Sequence, residues 1–250
     1  MSTGSAMVRE VFSSAQGEGP LVGVRQIFLR LAGCNLHCSY CDTAGGQQTV
    51  CRYQHPLPGQ DSQVVWQELP NPLAVSRVLE IIQTLDPASH HSLSVTGGEP
   101  LLWADFLCQL LPGIRGFRQG VFLETNGTLP GELAKVLSLL RWVSMDIKLP
   151  CYLGGREYWE QHEQFIRLAR EKDLYVKVVV GDDAPLDQFR QAVQVVARCD
   201  RHIPLVIQPL TRGERVALSP ARALQLQAMA LAMLDDVRLV PQTHVFLGLL

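Results

Sequence analysis

The tightest constraint on this chain is the run Gly33-Cys-Asn-Leu-His-Cys-Ser-Tyr-Cys-Asp-Thr43, which sets Cys34, Cys38 and Cys41 in C-x3-C-x2-C spacing. It supplies three thiolates and no fourth. Fully ligated ferredoxin-type clusters take four cysteines. Three sulfurs can hold three irons of a cubane [4Fe–4S] cluster and leave the last iron open to a ligand. The spacing therefore points to chemistry at the iron rather than simple electron storage.

Two other uses of the cysteines compete with that reading. Cys34, Cys38 and Cys41 with His37 would make a Cys3His zinc site, but His37 directly precedes Cys38 and is badly placed to close a tetrahedron. Zinc ribbons also draw ligands from a second cluster, and no second C-x2-C follows. A disulfide framework is a poorer fit, because seven cysteines in 250 residues is an odd number at low density. Cys51, Cys108, Cys151 and Cys199 are scattered, and Cys108 and Cys199 fall in apolar helical patterns as small core residues.

A chain of 250 residues with 47% hydrophobic content suits one enzyme-sized domain with a large core. A net charge of −2 gives no field that would favour nucleic acid or an anionic membrane. No apolar run reaches the ~18–20 residues of a membrane span, and no basic, then apolar, signal sequence opens the chain. Met1 to Ala6 reads as a leader or a remnant of expression, with Met7 a possible natural start. Reduced cysteines without an export signal imply the cytoplasm.

Period and punctuation predict alternating strands and helices. Strands are expected over 25–32, 92–95, 120–124, 143–147, 175–180, 205–207 and 237–240. Helices are expected over 73–85, 106–111, 133–140, 157–171, 186–197 and 220–234. Thr43 to Pro72, rich in Gly, Gln and Pro, reads as an irregular excursion. Repeated βα units predict a parallel sheet, and the fold class is α/β, an open, partial (β/α) barrel in a single domain over 1–250. Within it, 8–33 forms an N-terminal substrate segment, 44–72 a variable cap and about 210–250 a C-terminal extension.

Polar groups stand at the strand ends, where active sites of parallel α/β barrels gather. They are the cysteine loop, Thr96-Gly-Gly-Glu-Pro100, Glu124-Thr-Asn-Gly127, the series Ser144, Asp146, Lys148, and Gln208-Pro209. Structural turns would account for the glycines but not for Glu124, Ser144, Lys148 and Gln208. Lys148 is one of only four lysines and lies on an otherwise apolar strand, which suits a polar cavity better than a snorkelling surface position. Arg30, in Ile27-Phe-Leu-Arg-Leu, must meet an anion, since a buried unpaired charge is costly; its partner is either a substrate or an internal carboxylate.

With these residues in place, the chain resembles the radical S-adenosylmethionine (SAM) superfamily. The cysteine spacing is that superfamily's signature, with Tyr40 as the aromatic before the third cysteine. The resemblance implies a [4Fe–4S] cluster on Cys34, Cys38 and Cys41. It also implies SAM contacts from Tyr40, from Gly98 and Glu99 in the "GGEP" segment, and from Ser144, Lys148 and Gln208. Glycine lets backbone approach the methionine moiety.

Gln16-Gly-Glu-Gly19, Phe28-x-Arg30, Ala32-Gly-Cys-Asn-Leu and Cys41-Asp-Thr43 together resemble the 7-carboxy-7-deazaguanine synthase family. That family contracts the ring of 6-carboxy-5,6,7,8-tetrahydropterin with loss of ammonia. The resemblance is strongest over 12–43, spans the first 150 residues, and continues weakly through Gln208-Pro209 and Gln242-Thr-His244. It implies substrate contacts from Ala15, Gln16, Gly17, Glu18, Arg30 and Thr96, a Mg²⁺ ligand at Thr43, a flavodoxin or ferredoxin reductant, and a homodimer. A hydroxyl with substrate oxygens and waters suits Mg²⁺. Two alternatives differ in class: a glycyl-radical activase, which would not need Gln16-Gly-Glu-Gly19, Arg30 and Thr43 together, and a zinc-holding interaction module.

Overall fold

Successive residues of a strand point to opposite faces, and in this chain that alternation separates a helix-covered apolar face from a polar interior. The computed structural model describes residues 4–41, 48–56, 64–213 and 215–249. Its main sheet is built, in chain order, from β1 (Val8–Ala15), β2 (Arg25–Leu31), β3 (Val50–Pro56), β4 (Val64–Pro70), β5 (Ser92–Gly97), β6 (Val121–Thr125), β7 (Trp142–Ile147), β8 (Asp173–Val180), β9 (Leu205–Pro209) and β10 (Val237–Leu239). Across the sheet the order is β10-β9-β8-β7-β6-β5-β2-β1-β3-β4. β2 and β5 to β10 run parallel to one another. β1 lies antiparallel to β2, and β3 with β4 forms an antiparallel hairpin beside β1. The outermost strands, β4 and β10, do not pair with each other, so among the described residues the barrel is open.

The connecting helices are α1 (Val75–Thr84), α2 (Ala104–Leu110), α3 (Pro130–Val136), α4 (Trp159–Ala169), α5 (Leu186–Cys199) and α6 (Pro220–Leu231), with a short α7 (Thr243–Leu247) at the end. Each buried stripe follows from helical spacing. In α1 it is Val78, Ile81 and Ile82, and in α5 Phe189, Ala192, Val193 and Val196. In α4 a histidine takes one such position, giving His162, Phe165, Ile166 and Ala169. α6 starts from Ser219, whose hydroxyl accepts from the Arg222 N–H, with Pro220 at the first turn.

The outward residues of the strands, such as Ile27, Leu29 and Leu31 of β2 and Leu93 and Val95 of β5, join these stripes in one core running from Ala6 to Val237. Cys108 and Cys199 pack half-buried against it, as their patterns imply. Inward residues behave differently along the strand. At the lower end Phe122, Tyr175 and Val206 form a separate apolar plug. Phe12 and Phe28 stack with ring centroids 5.1 Å apart. Above them the interior turns polar.

Every expected strand and helix from residue 73 onward is present, with ends shifted by a few residues. Three departures occur. The irregular excursion contains the β3–β4 hairpin, held by seven paired positions from Val50↔Pro70 to Pro56↔Val64; its mixed composition hid the alternation. β1 has no counterpart among the expected strands, because Glu10, Ser13 and Ser14 break its apolar pattern. Ser5–Ala6 pairs with Leu73–Ala74, and Ala6 is fully buried, so this stretch belongs to the fold.

Leu123 lies at 0% exposure on the outward face of β6. Leu123→Ala should cost about 2–5 kcal/mol through lost burial and the cavity left behind, whereas Leu224→Ala, 62% exposed, should change stability by less than about 0.5 kcal/mol. Urea unfolding midpoints of the two variants check this.

Candidate active site

One cavity of about 370 Å³ opens at the C-terminal ends of the parallel strands. Its lining brings together Ala15, Gln16, Gly17, Glu18, Arg30, Cys34, Cys38, Tyr40, Cys41, Thr96, Gly98, Ser144, Lys148 and Gln208, all singled out in the sequence. Glu99 is not on its surface, and Thr43 lies outside the described residues.

The cysteine loop leaves β2 through Gly33, whose φ of +89° is left-handed. It is pinned by backbone and ring contacts. Glu99 N–H donates to the Gly33 carbonyl at 2.8 Å, Trp103 Nε1 to the Ala32 carbonyl at 2.8 Å, and Ser39 N–H to the Tyr152 carbonyl at 3.0 Å. Tyr40 meets Tyr152 edge-on at 5.0 Å. A Cβ on Gly98 would collide with the Gly33 carbonyl, and one on Gly97 with the Leu31 backbone, so both glycines are required for the strand ends to approach.

The loop suits an iron–sulfur cluster. Its three thiols share one cavity wall, no fourth cysteine lines that cavity, and no disulfide links the seven cysteines. Leu36 N–H donates to Cys34 Sγ at 3.4 Å. Burial pushes the Cys34 thiol up, and the Cys38 thiol to about 11 despite the nearby Lys148 ammonium; metal uptake must therefore displace protons. His37 is exposed and absent from the cavity wall, which leaves the Cys3His arrangement without its fourth ligand.

Glu99 is wholly buried and serves as a clamp. Its carboxylate accepts from Leu101 N–H at 3.0 Å, the Thr125 hydroxyl at 2.8 Å and Asn126 N–H at 2.8 Å. Burial raises its pKa to about 7 against those three donors. Any contact of this segment with a ligand would thus run through backbone and Gly98. Nearby, Asp146 Oδ1, Gln208 Oε1 and Thr211 Oγ1 line the cavity as buried polar atoms without a partner, which is costly unless a ligand satisfies them. These acceptors and hydroxyls fit the amino, hydroxyl and adenine groups of SAM.

The opposite end is a carboxylate and amide network. Gln16 Nε2 donates to Glu124 at 2.8 Å and to Gln26 at 3.1 Å, and the Thr96 hydroxyl donates to Glu124 at 2.9 Å. Burial, then the neighbouring Glu18 charge, raises the Glu124 pKa. Glu18 pairs with Lys177 and accepts from Gln208 at 3.1 Å and Gln242 at 2.9 Å. Burial alone would raise the Glu18 pKa, but the Lys177 ammonium overrides it and holds it at about 2. Arg30 meets Glu10 at 3.3 Å and lies over the Phe12 ring, so the anion required by its strand position is internal. Its side chain keeps 30% exposure on the cavity wall.

Sequence reasoning missed Lys177. Its ammonium lies 3.6 Å from Asp146, which bonds Lys148 at 2.7 Å, so Glu18, Lys177, Asp146 and Lys148 form a row of alternating sign. The signal is in the chain: Lys177 interrupts the apolar run Leu174-Tyr-Val-Lys-Val-Val-Val180, as Lys148 stands at the end of β7 directly after Ile147. Asn126, Gln242 and His244 also line the wall. The last two reach it because Thr243 N–H and hydroxyl both bond the Gly17 carbonyl, at 2.9 and 3.0 Å.

In Lys177→Met, Glu18 would lose the charge and hydrogen bond of Lys177, the largest influences that lower its pKa. It would keep only the Gln208 and Gln242 donors and His244 against burial, so its pKa would rise. Wild type should lose the pair's contribution as pH falls from about 4.5 toward 2, because its folded pKa is the lower one. The variant should be about 3–5 kcal/mol less stable at pH 7 and recover as pH falls and Glu18 is protonated. Lys177→Arg should retain most of the wild-type profile, and chemical unfolding between about pH 2 and 8 distinguishes the three proteins.

Comparison with known proteins agrees with this geometry. The family model described as the Radical SAM superfamily matches residues 29–196. A 7-carboxy-7-deazaguanine synthase of Geobacter sulfurreducens is 41% identical, covering 99% of each chain. One of Methanothermobacter thermautotrophicus is 34% identical over 98% of each. Among solved structures, QueE from Escherichia coli shares the fold, with a TM-score of 0.58 at 20% identity over 96% of this chain and 95% of that one. The chain belongs to the radical SAM superfamily and, within it, to the 7-carboxy-7-deazaguanine synthase family.

Proposed function

We propose that this protein converts 6-carboxy-5,6,7,8-tetrahydropterin to 7-carboxy-7-deazaguanine with release of ammonia, as a carbon–nitrogen lyase. One observation carries the reading: a single cavity has a three-thiol wall at one end and the Gln16–Glu18–Glu124 network at the other, in a chain 41% identical to a named synthase along its whole length. When bound, the [4Fe–4S] cluster and SAM supply the one-electron chemistry that starts the rearrangement, and Mg²⁺ supplies a Lewis acid for the substrate carboxylate.

The chain's own residues bind, orient and exclude water. Cys34, Cys38 and Cys41 hold the cluster. Tyr40, the backbone of Gly98 and Glu99, Ser144, Lys148 and Gln208 hold SAM, with the unpartnered Gln208 Oε1 a ready acceptor. Ala15, Gln16, Gly17, Glu18, Arg30 and Thr96 hold the pterin. Gln16, already bonded to Glu124, and Glu18, fixed by Lys177, offer pre-oriented acceptors to pterin N–H groups. Thr43 holds Mg²⁺.

A flavodoxin or ferredoxin supplies the electron in the cytoplasm, and the working form is a homodimer. Among the described residues no helix is long and apolar enough to cross a membrane. Residues 8–33 serve as the substrate segment, 44–72 as a variable cap and about 210–250 as a C-terminal extension, which the bonds from Thr243 to Gly17 tie to the first segment.

Anaerobic incubation with the tetrahydropterin, SAM, Mg²⁺ and dithionite should yield 7-carboxy-7-deazaguanine by mass spectrometry. Persistence of the pterin alongside glycyl-radical formation on a partner protein would replace this reading with the activase. Cys38→Ala should abolish iron binding and turnover, while Cys108→Ala, half-buried away from the cavity, should retain both.

A further inference from the structure

Asn126 follows β6 at the cavity wall, and its polar atoms are all engaged. Its N–H donates to Glu99 at 2.8 Å, and its carbonyl accepts from His162 Nε2 at 3.2 Å. Its side-chain Oδ1 accepts twice from Thr128, from the hydroxyl at 2.6 Å and from the N–H at 3.1 Å. With the oxygen claimed by two donors, the amide cannot be reversed, and its NH₂ group must face the cysteine loop. There Nδ2 donates to Asn35 Oδ1 at 2.9 Å and lies 3.9 Å from Cys34 Sγ. At 5% exposure, Asn126 makes these contacts where little water competes.

An amide N–H aimed at a cysteine sulfur matters more once that sulfur carries charge. One-electron reduction adds negative charge to a cluster and its sulfurs, so a donor there stabilises the reduced form, and hydrogen bonds to sulfur are among the protein's levers on cluster potential. We propose that Asn126 sets the reduction potential of the cluster held by Cys34, Cys38 and Cys41, its side-chain amide donating to the Cys34 sulfur while Glu99, His162 and Thr128 hold it in position. Asn126 is a positioning residue in this sense: it acts through the thiolate and need not touch substrate. The inference rests on the cluster reading above but not on the identity of the substrate.

The test is a reductive titration of the reconstituted cluster, followed by electron paramagnetic resonance, with neither SAM nor pterin present. Asn126→Leu removes the donor at similar size. One hydrogen bond to a charged acceptor corresponds to about a tenfold change in the one-electron reduction constant, so the midpoint should move ~59 mV more negative. A variant with full iron and sulfide content and the wild-type midpoint would overturn the proposal. Should Asn126→Leu fail to hold a cluster, Thr128→Val decides. It deletes the 2.6 Å donor that orients the amide and should shift the midpoint in the same direction by a smaller amount; an unchanged midpoint there is equally fatal. A wild-type chain that takes up no cluster would overturn both this inference and the reading beneath it, whereas an intact cluster with the expected shift but no ring contraction would strike the substrate alone.

Discussion

An ion buried inside a barrel of strands is tolerable only beside its opposite, and that requirement organises this cavity. Glu18, Lys177, Asp146 and Lys148 alternate in sign along the wall, and Arg30 closes on Glu10. Glu18 lies on the loop after β1, while Lys177 sits on β8, 159 residues away in the chain. Their pairing therefore fixes the N-terminal loop against the far side of the barrel. Gln242 adds a contact from the C-terminal segment to the same carboxylate. Three distant stretches of chain are held by one buried negative charge.

The same economy of pairing explains how the cysteine end stays ordered. Its loop has few apolar residues to bury, so the backbone N–H groups of Glu99 and Ser39 and the indole N–H of Trp103 do the anchoring. Glu99 then ties the end of β5 to the end of β6 through Thr125 and Asn126. The glycines at 97 and 98 permit that approach because any side chain would strike the backbone of β2 or of Gly33. A rigid first layer backed by hydrogen-bonded neighbours is what radical chemistry demands, since a reactive species must meet one hydrogen and no other.

Much of this was legible in the linear order of residues. The cysteine spacing, the glycine pair and the polar residues at strand ends are local patterns, and local patterns survive being read without coordinates. The strands after residue 90 were visible because β-branched runs are interrupted by Gly, Pro and Asn. β1 and the β3–β4 hairpin were not, because their stability comes from cross-strand pairing: Glu10 and Ser13 are acceptable in β1 only because Arg30 and His90 meet them. The apolar neighbours of Arg30 demand an anion, but that the anion is Glu10 depends on the register between two antiparallel strands.

By itself, the sequence determined the ligand chemistry, the alternation of strand and helix, and which ends of the strands carry polar groups. All three are set by neighbours within a few positions, through thiolate spacing, side-chain periodicity and glycine's conformational freedom. Only the tertiary structure decided that Lys177 faces Glu18, that Glu99 is a clamp rather than a lining group, and that Asn126 turns its amide toward Cys34. Those pairings arise where segments far apart in the chain compete for the same buried partners, and desolvation lets only the matched sets survive.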